Sequence, residues 1–171
     1  LIFMIKPLKP ELGILLRKRL TDVVVQFERN VSYFGLGKTE FEKREIDISI
    51  FDRTSKTMDA AIELKYPRNG QYPEQMFSFC KDIVFAEQLV SAGFSKAYVI
   101  IFADDRLFYE GRGAGIYEYF RGARPLTGAI EKPTGNKDKA LNIRGTYTLK
   151  WLEAATPLKF TVIEAHPYLT I

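Results

Sequence analysis

Three residues in the stretch EIDISIFDRTSKTMDAAIELK (45–65) have types and spacing suited to phosphoryl chemistry: Asp47, Glu63 and, two residues on, Lys65. Two carboxylates can share a divalent cation, and Mg2+ prefers one or two carboxylates completed by water and phosphate oxygens. A lysine beside them can orient or deprotonate an attacking water, or stabilise charge growing on a scissile phosphate. Whether the three can meet depends on the elements that carry them. The stretch reads as two strands joined near DRTSK. Side chains alternate along a strand, so Ile46, Ile48 and Ile50 share one side and Glu45, Asp47 and Ser49 the other. In the second strand Ile62 and Leu64 lie opposite Ala61, Glu63 and Lys65. A turn centred on Ser55 sets Asp47 across from Glu63, Glu45 across from Lys65, Ile46 against Leu64 and Ile48 against Ile62. Like charges directly opposite are destabilising. Two carboxylates about 4 Å apart repel by ~4 kcal/mol at an effective dielectric of about 20. A bound cation turns that repulsion into attraction; a plain solvated hairpin face is the alternative.

Rival chemistries are scarce. The one cysteine, Cys80, excludes an internal disulfide and any Cys-based zinc or iron–sulfur cluster. It lies in PEQMFSFCKDIV, an apolar helical pattern, where a buried inert thiol is expected. The one histidine, His166, excludes paired-histidine nucleases and His-rich zinc hydrolases, and reads as structural or surface. No G-x-S-x-G accompanies it for a serine triad. GRGAG (111–115) lacks the Gly-Lys-Ser/Thr of a phosphate loop and reads as a turn. Hydrolysis by this chain would rest on carboxylates and a lysine.

The 171 residues, 46% apolar and 27% charged, suit one globular domain over 1–171. No apolar run is long enough to span a membrane, and the apolar opening LIFMI is short for a signal peptide. With one cysteine, a cytoplasmic location is expected. The net charge of +4 is uneven: residues 106–150 carry nine Lys or Arg against four acids. Arg112, Arg121 and Arg124, interleaved with Tyr117 and Tyr119, are candidates for gripping a nucleic-acid backbone. A solvated loop surface accounts for the same composition.

The flanking elements follow from period and punctuation. KPELGILLRKRL (9–20) reads as a helix, with Pro10 and Glu11 at its start and a stripe of Leu12, Leu15, Leu16 and Leu20. DVVVQFERNVSYF (22–34) reads as a long or bent strand. Residues 73–92 read as a helix stopped by Gly93, and KAYVIIFA (96–103) as a buried strand. Seven of the twelve glycines fall between 111 and 145, which predicts long loops or a glycine-rich insertion. GTYTLKWL (145–152), with Tyr147, Leu149 and Trp151 inward, and KFTVIEA (159–165) complete a β-rich tail.

IDISIFDRTSKTMDAAIELK resembles the core of the PD-(D/E)XK nuclease superfamily, and the predicted order helix, three strands, helix, strand over 9–103 is similar to that superfamily's shared core. The resemblance implies an α/β, restriction-endonuclease-like core (α-β-β-β-α-β, a mixed central sheet flanked by helices) with a β-rich extension over 104–171 that it does not cover. Asp47 would be the metal-binding aspartate, Glu63 the acid of the E-x-K motif and Lys65 its lysine; Ile46 stands where many members have proline. The main-chain carbonyl of Leu64 would be a further ligand. Glu11 matches a first-helix glutamate used by some members, and otherwise complements its helix dipole. Gln75 matches a polar residue of the second helix, and otherwise is a helix-start side chain. Tyr72 falls at the rim. The implied activity is Mg2+-dependent endonucleolytic hydrolysis, with Mn2+ as a substitute, on DNA in restriction or repair, and a homodimer would serve to cut both strands. The alternative is a non-catalytic nucleic-acid-binding or assembly module on the same fold.

Overall fold

The computed structural model describes residues 8–37, 41–67, 70–134 and 140–167. Helix α1 (Leu8–Arg19) has Glu11 in its first turn and Arg17, Lys18 and Arg19 in its last, both favourable to the helix dipole. Strands β1 (Val23–Asn30), β2 (Glu45–Asp52) and β3 (Met58–Lys65) form an antiparallel meander. Helix α2 (Tyr72–Ser91) then crosses the sheet and returns the chain as β4 (Lys96–Ala103), parallel to β3. After a short helix α3 (Ile116–Phe120), strands β5 (Leu126–Glu131) and β6 (Ala140–Tyr147) make a separate hairpin. The last two strands, β7 (Leu152–Ala155) and β8 (Leu158–Ala165), join the main sheet, whose order is β1-β2-β3-β4-β8-β7. The protein is thus mixed α/β, a six-stranded mixed sheet with helices against it.

Both faces of the sheet are used. Ala97, Val99, Ile101 and Ala103 of β4 are buried on one side, where α2 lays down Met76, Phe79, Cys80, Ile83 and Leu89. On the other side Leu12 and Leu16 of α1 cover Val25, Ile48, Ile50 and Ile62. Burying such side chains stabilises by about 1.5–3 kcal/mol each. Gly13 lets α1 come close: a Cβ there would fall 1.9 Å from Cζ of Phe27.

Four features depart from the sequence reading. Leu15 and Leu20 are 50% and 37% exposed, so only Leu12 and Leu16 of the leucine stripe pack on the sheet. The strand expected over 22–34 ends at Asn30, whose side chain accepts from the Ser32 N–H and caps one 3-10 turn, Val31–Phe34. The glycine-rich segment holds regular elements, α3 and the β5–β6 hairpin, between its loops, and β6 is tied to a buried glutamate of α2, Glu87. That carboxylate accepts from the N–H groups of Arg144 (3.1 Å) and Gly145 (2.7 Å) and from the Tyr147 hydroxyl (2.9 Å). Tyr147 and Leu149 do point inward, but β6 stops at Tyr147. His166 is exposed and stacks on the Tyr147 ring. Among the described residues no helix is long and apolar enough to cross a membrane.

Candidate metal and catalytic site

The hairpin has the expected register, with Ile48 opposite Ile62, Ser49 opposite Ala61 and Ile50 opposite Ala60. The ladder then stops, and side chains replace backbone. The Asp47 N–H donates to Glu63 Oε1 (3.1 Å), and the Leu64 N–H donates to Asp47 Oδ2 (2.9 Å). On the other flank, the β1 residue that would face Asp47 is Glu28, which lies at φ 53 and drops out of the pairing. Strand β2 is therefore interrupted on both sides at Asp47. Its alternation breaks too: Ile46 buries in the core beneath α2, whereas Ile48 and Ile50 bury beneath α1. On its β1 flank Glu45 stands opposite Asn30, and the paired residues of β2 and β3 end at Ile48 and Ile62, short of Glu45 and Lys65. Period two predicts none of this, because it assumes an unbroken ladder.

The carboxylates meet, and each meets an ammonium. Asp47 Oδ1 lies 2.7 Å from Lys9 Nζ, which also reaches Glu28 at 3.1 Å. Glu63 Oε2 accepts from Lys43 Nζ, and the same nitrogen lies 2.8 Å from Asp82 Oδ1. Asp82 Oδ2 lies 3.2 Å from Lys65 Nζ. Three carboxylates (Asp47, Glu63, Asp82) thus face three lysines (Lys9, Lys43, Lys65). Glu63 and Asp82 are each only 1% exposed. Asp82 is placed by helix period, three residues after Phe79 and four before Ala86 on the buried face of α2. Lys43 is placed by its neighbours: the Phe41 ring meets Phe85 edge-on, and the Glu42 N–H donates to Gln88 Oε1 at 2.7 Å.

Burial, reinforced by the Asp47 charge, pushes the Glu63 carboxyl up to about 7, against the opposing pull of Lys43. Burial alone would lower the Lys43 ammonium, but Glu63 and Asp82 together hold it above its ordinary range. Lys9 behaves likewise: desolvation lowers it, and Asp47 then Glu28 more than compensate.

The remaining sequence candidates are spread out. Glu11 is exposed and makes no ion pair among the described residues; Lys9, two residues earlier in α1, is the side chain that reaches Asp47. Gln75 is half-buried and sits two helical turns before Asp82, about 10 Å along the axis. Leu64 is fixed through its N–H by Asp47. The Tyr72 hydroxyl donates to Asp105 just beyond β4. In the basic segment, Arg112 is exposed, whereas the Arg121 guanidinium holds the carbonyls of Arg112 and Leu107 and lies over Tyr117. Arg124 pairs with Glu118 at 3.2 Å and lies over Tyr119. Lys137 and Lys139 fall outside the described residues.

Sequence reasoning missed Asp82, Lys43 and Lys9. Asp82 did leave a signal, since an acid on the apolar face of SFCKDIVFAEQL is a residue type almost never buried unpaired. Lys43 left none, lying in an aperiodic linker.

Among the described residues no three His, Cys, Asp or Glu side chains are already disposed as a metal site. The donor chemistry nevertheless suits a hard cation: oxygen donors only, with a cationic group already bridging Glu63 and Asp82. Asp82 Oδ2 is buried without a hydrogen-bond partner despite its ion pair with Lys65. The residues fit Mg2+ or Mn2+ once an ammonium gives way. No protein-family profile, curated protein or solved structure matches the chain.

Proposed function

We propose that the chain is a Mg2+-dependent endonuclease of the PD-(D/E)XK type, with a restriction-endonuclease-like core, hydrolysing phosphodiester bonds in DNA. The observation that carries the reading is the convergence of Asp47 and Glu63 at the parted ends of β2 and β3, with Lys65 two residues beyond Glu63. The element order supports it: an antiparallel β1-β2-β3 meander after α1, then α2 and a parallel β4, is the arrangement that the resemblance requires.

Asp47 and Glu63, with the Leu64 carbonyl, would hold the ion. Bound Mg2+ supplies Lewis acidity and charge neutralisation at a phosphoryl oxygen. Asp82 orients the Lys65 ammonium at 3.2 Å, so that its remaining protons can be donated to a phosphate oxygen or its position used to align a water. Charge balance favours an anionic substrate. With Glu28 included, four carboxylates against three lysines leave one negative charge in excess, and an added divalent cation makes the site net positive.

The test is cleavage of supercoiled, linear and branched DNA with Mg2+ or Mn2+. The proposal expects cutting that is lost in Glu63→Gln and Lys65→Ala; activity surviving both changes removes it. One observation favours a second reading, a non-catalytic nucleic-acid-binding or assembly module: each carboxylate already has a lysine, so the cluster is complete without metal. Thermal unfolding separates the two. A filled site stabilises by roughly 2.7 kcal/mol at a hundredfold excess over Kd, and absence of any shift with Mg2+ and Mn2+ favours the module.

A further inference from the structure

Among the described residues the Lys43 ammonium is the one cation that touches two buried carboxylates at once. It hydrogen-bonds Glu63 Oε2 and lies 2.8 Å from Asp82 Oδ1, joining the sheet to α2. We propose that Glu63 and Asp82 form a divalent-cation position which Lys43 fills in the metal-free protein and vacates when a metal enters. This rests on reading the site as a metal site. It goes further by making Asp82 a ligand and Lys43 a displaceable counter-cation.

Three observations converge on it. The first is Asp82 itself, an aspartate 1% exposed in the middle of an apolar helix, whose Oδ2 has the Lys65 ammonium at 3.2 Å but no hydrogen-bond partner among the described residues. A buried carboxylate left short of donors is costly, and a hard cation with two or more oxygen ligands is a group that would satisfy it. The second is how Lys43 is mounted. Its backbone is held from α2 by the Phe41–Phe85 ring contact and by the Glu42 N–H to Gln88, while the side chain is 29% exposed. A swing of the ammonium to solvent would give up its place over the Phe85 ring, 5.5 Å from the centroid, and would leave those backbone contacts in place. The third is the residue type. A lysine is a strongly hydrated point charge on a flexible stem, readily exchanged for an ion, whereas an arginine fork would bind both carboxylates more rigidly. Replacing one positive charge by two between the same oxygens strengthens their neutralisation and frees Lys43 to face an approaching anion.

Competition for the position predicts two readouts that do not depend on catalysis. The first is calorimetric titration with MnCl2. Lys43→Met binds about tenfold or more tightly than wild type, because the competing charge a few ångströms away is gone. The double variant Lys43→Met/Asp82→Asn loses that gain. The second uses wild-type protein alone and so stands even if Lys43→Met fails to fold. Acylation of lysines by an N-hydroxysuccinimide ester is followed by mass spectrometry with Mn2+ or with EDTA. Lys43 should label several-fold faster in Mn2+, while exposed Lys96 labels equally in both. If wild type binds Mn2+ but Lys43 keeps its metal-free labelling rate, or if Lys43→Met binds no more tightly, the displacement is wrong and the Asp47–Glu63 reading survives. If neither protein binds Mn2+, both fall.

Discussion

Glu63→Gln offers a test of the site that needs neither metal nor substrate. The carboxyl titrates near 7 in the folded protein and near its ordinary 4.5 in the unfolded chain, chiefly because it is buried. Between those two values the folded state binds more protons than the unfolded, so this group's contribution to stability is full below about 4.5 and falls as the pH rises toward 7. A difference of about 2.5 in pKa at 1.36 kcal/mol per unit corresponds to roughly 3 kcal/mol. Glutamine keeps an acceptor for the Asp47 N–H but does not ionise. Its altered contact with Lys43 adds an offset that is nearly independent of pH, since Lys43 stays charged throughout the range. The assay is urea unfolding of both proteins in EDTA at intervals from pH 4.5 to 7.5. Relative to wild type, the variant should gain about 3 kcal/mol across that range, a divergence on the order of 1–2 M in urea midpoint. Comparing the two proteins cancels other titrations, such as those of Asp52 and Asp105, whose carboxyls are held low by local hydrogen bonds. Stability curves that run parallel would refute the claim that Glu63 ionises at a cost inside the fold.

Three further outcomes follow from the packing. Gly13→Ala gains about 1 kcal/mol of helix propensity, but its Cβ would meet the Phe27 ring at 1.9 Å; overpacking of about 1–3 kcal/mol should match or exceed that gain, and a urea midpoint raised above wild type would contradict the close α1–β1 contact. Glu87→Ala removes the acceptor shared by two N–H groups and the Tyr147 hydroxyl, so thermal melts should show a loss of about 3 kcal/mol or more; an unchanged melt would show that the β5–β6 hairpin is not held from α2. Cys80 is buried with its thiol pushed up by desolvation, so a disulfide reagent should label it only in the unfolded protein; rapid labelling of native protein would mean that α2 opens.

The legible parts of this protein are those where a local rule acted unopposed. KAYVIIFA reads as a buried strand and is β4 over Lys96–Ala103, because a β-branched apolar run between polar ends has few other uses. The hairpin register followed from matching the apolar positions of two strands about one turn, and it holds from Ile48 to Ile50. At Asp47 the backbone ladder gives way to two side-chain hydrogen bonds, which still bring Asp47 and Glu63 together. The partners of the carboxylates were hidden for a related reason. Lys9 is the second residue of α1, Lys43 sits in a linker and Asp82 on a helix, so only the tertiary fold joins them. The leucine stripe of α1 misled because the helix meets the sheet through Leu12, Gly13 and Leu16, and Leu15 stays exposed.

Anomalous diffraction from crystals grown with Mn2+ addresses the centre of the account. The prediction is a single strong peak within about 2.2 Å of carboxylate oxygens from Asp47 or Glu63, with Glu63 shared between ion and sheet. Crystals saturated with Mn2+ that show no peak there, with Lys9 and Lys43 still seated on the carboxylates, would leave an ion-paired acidic cluster and no metal-dependent enzyme.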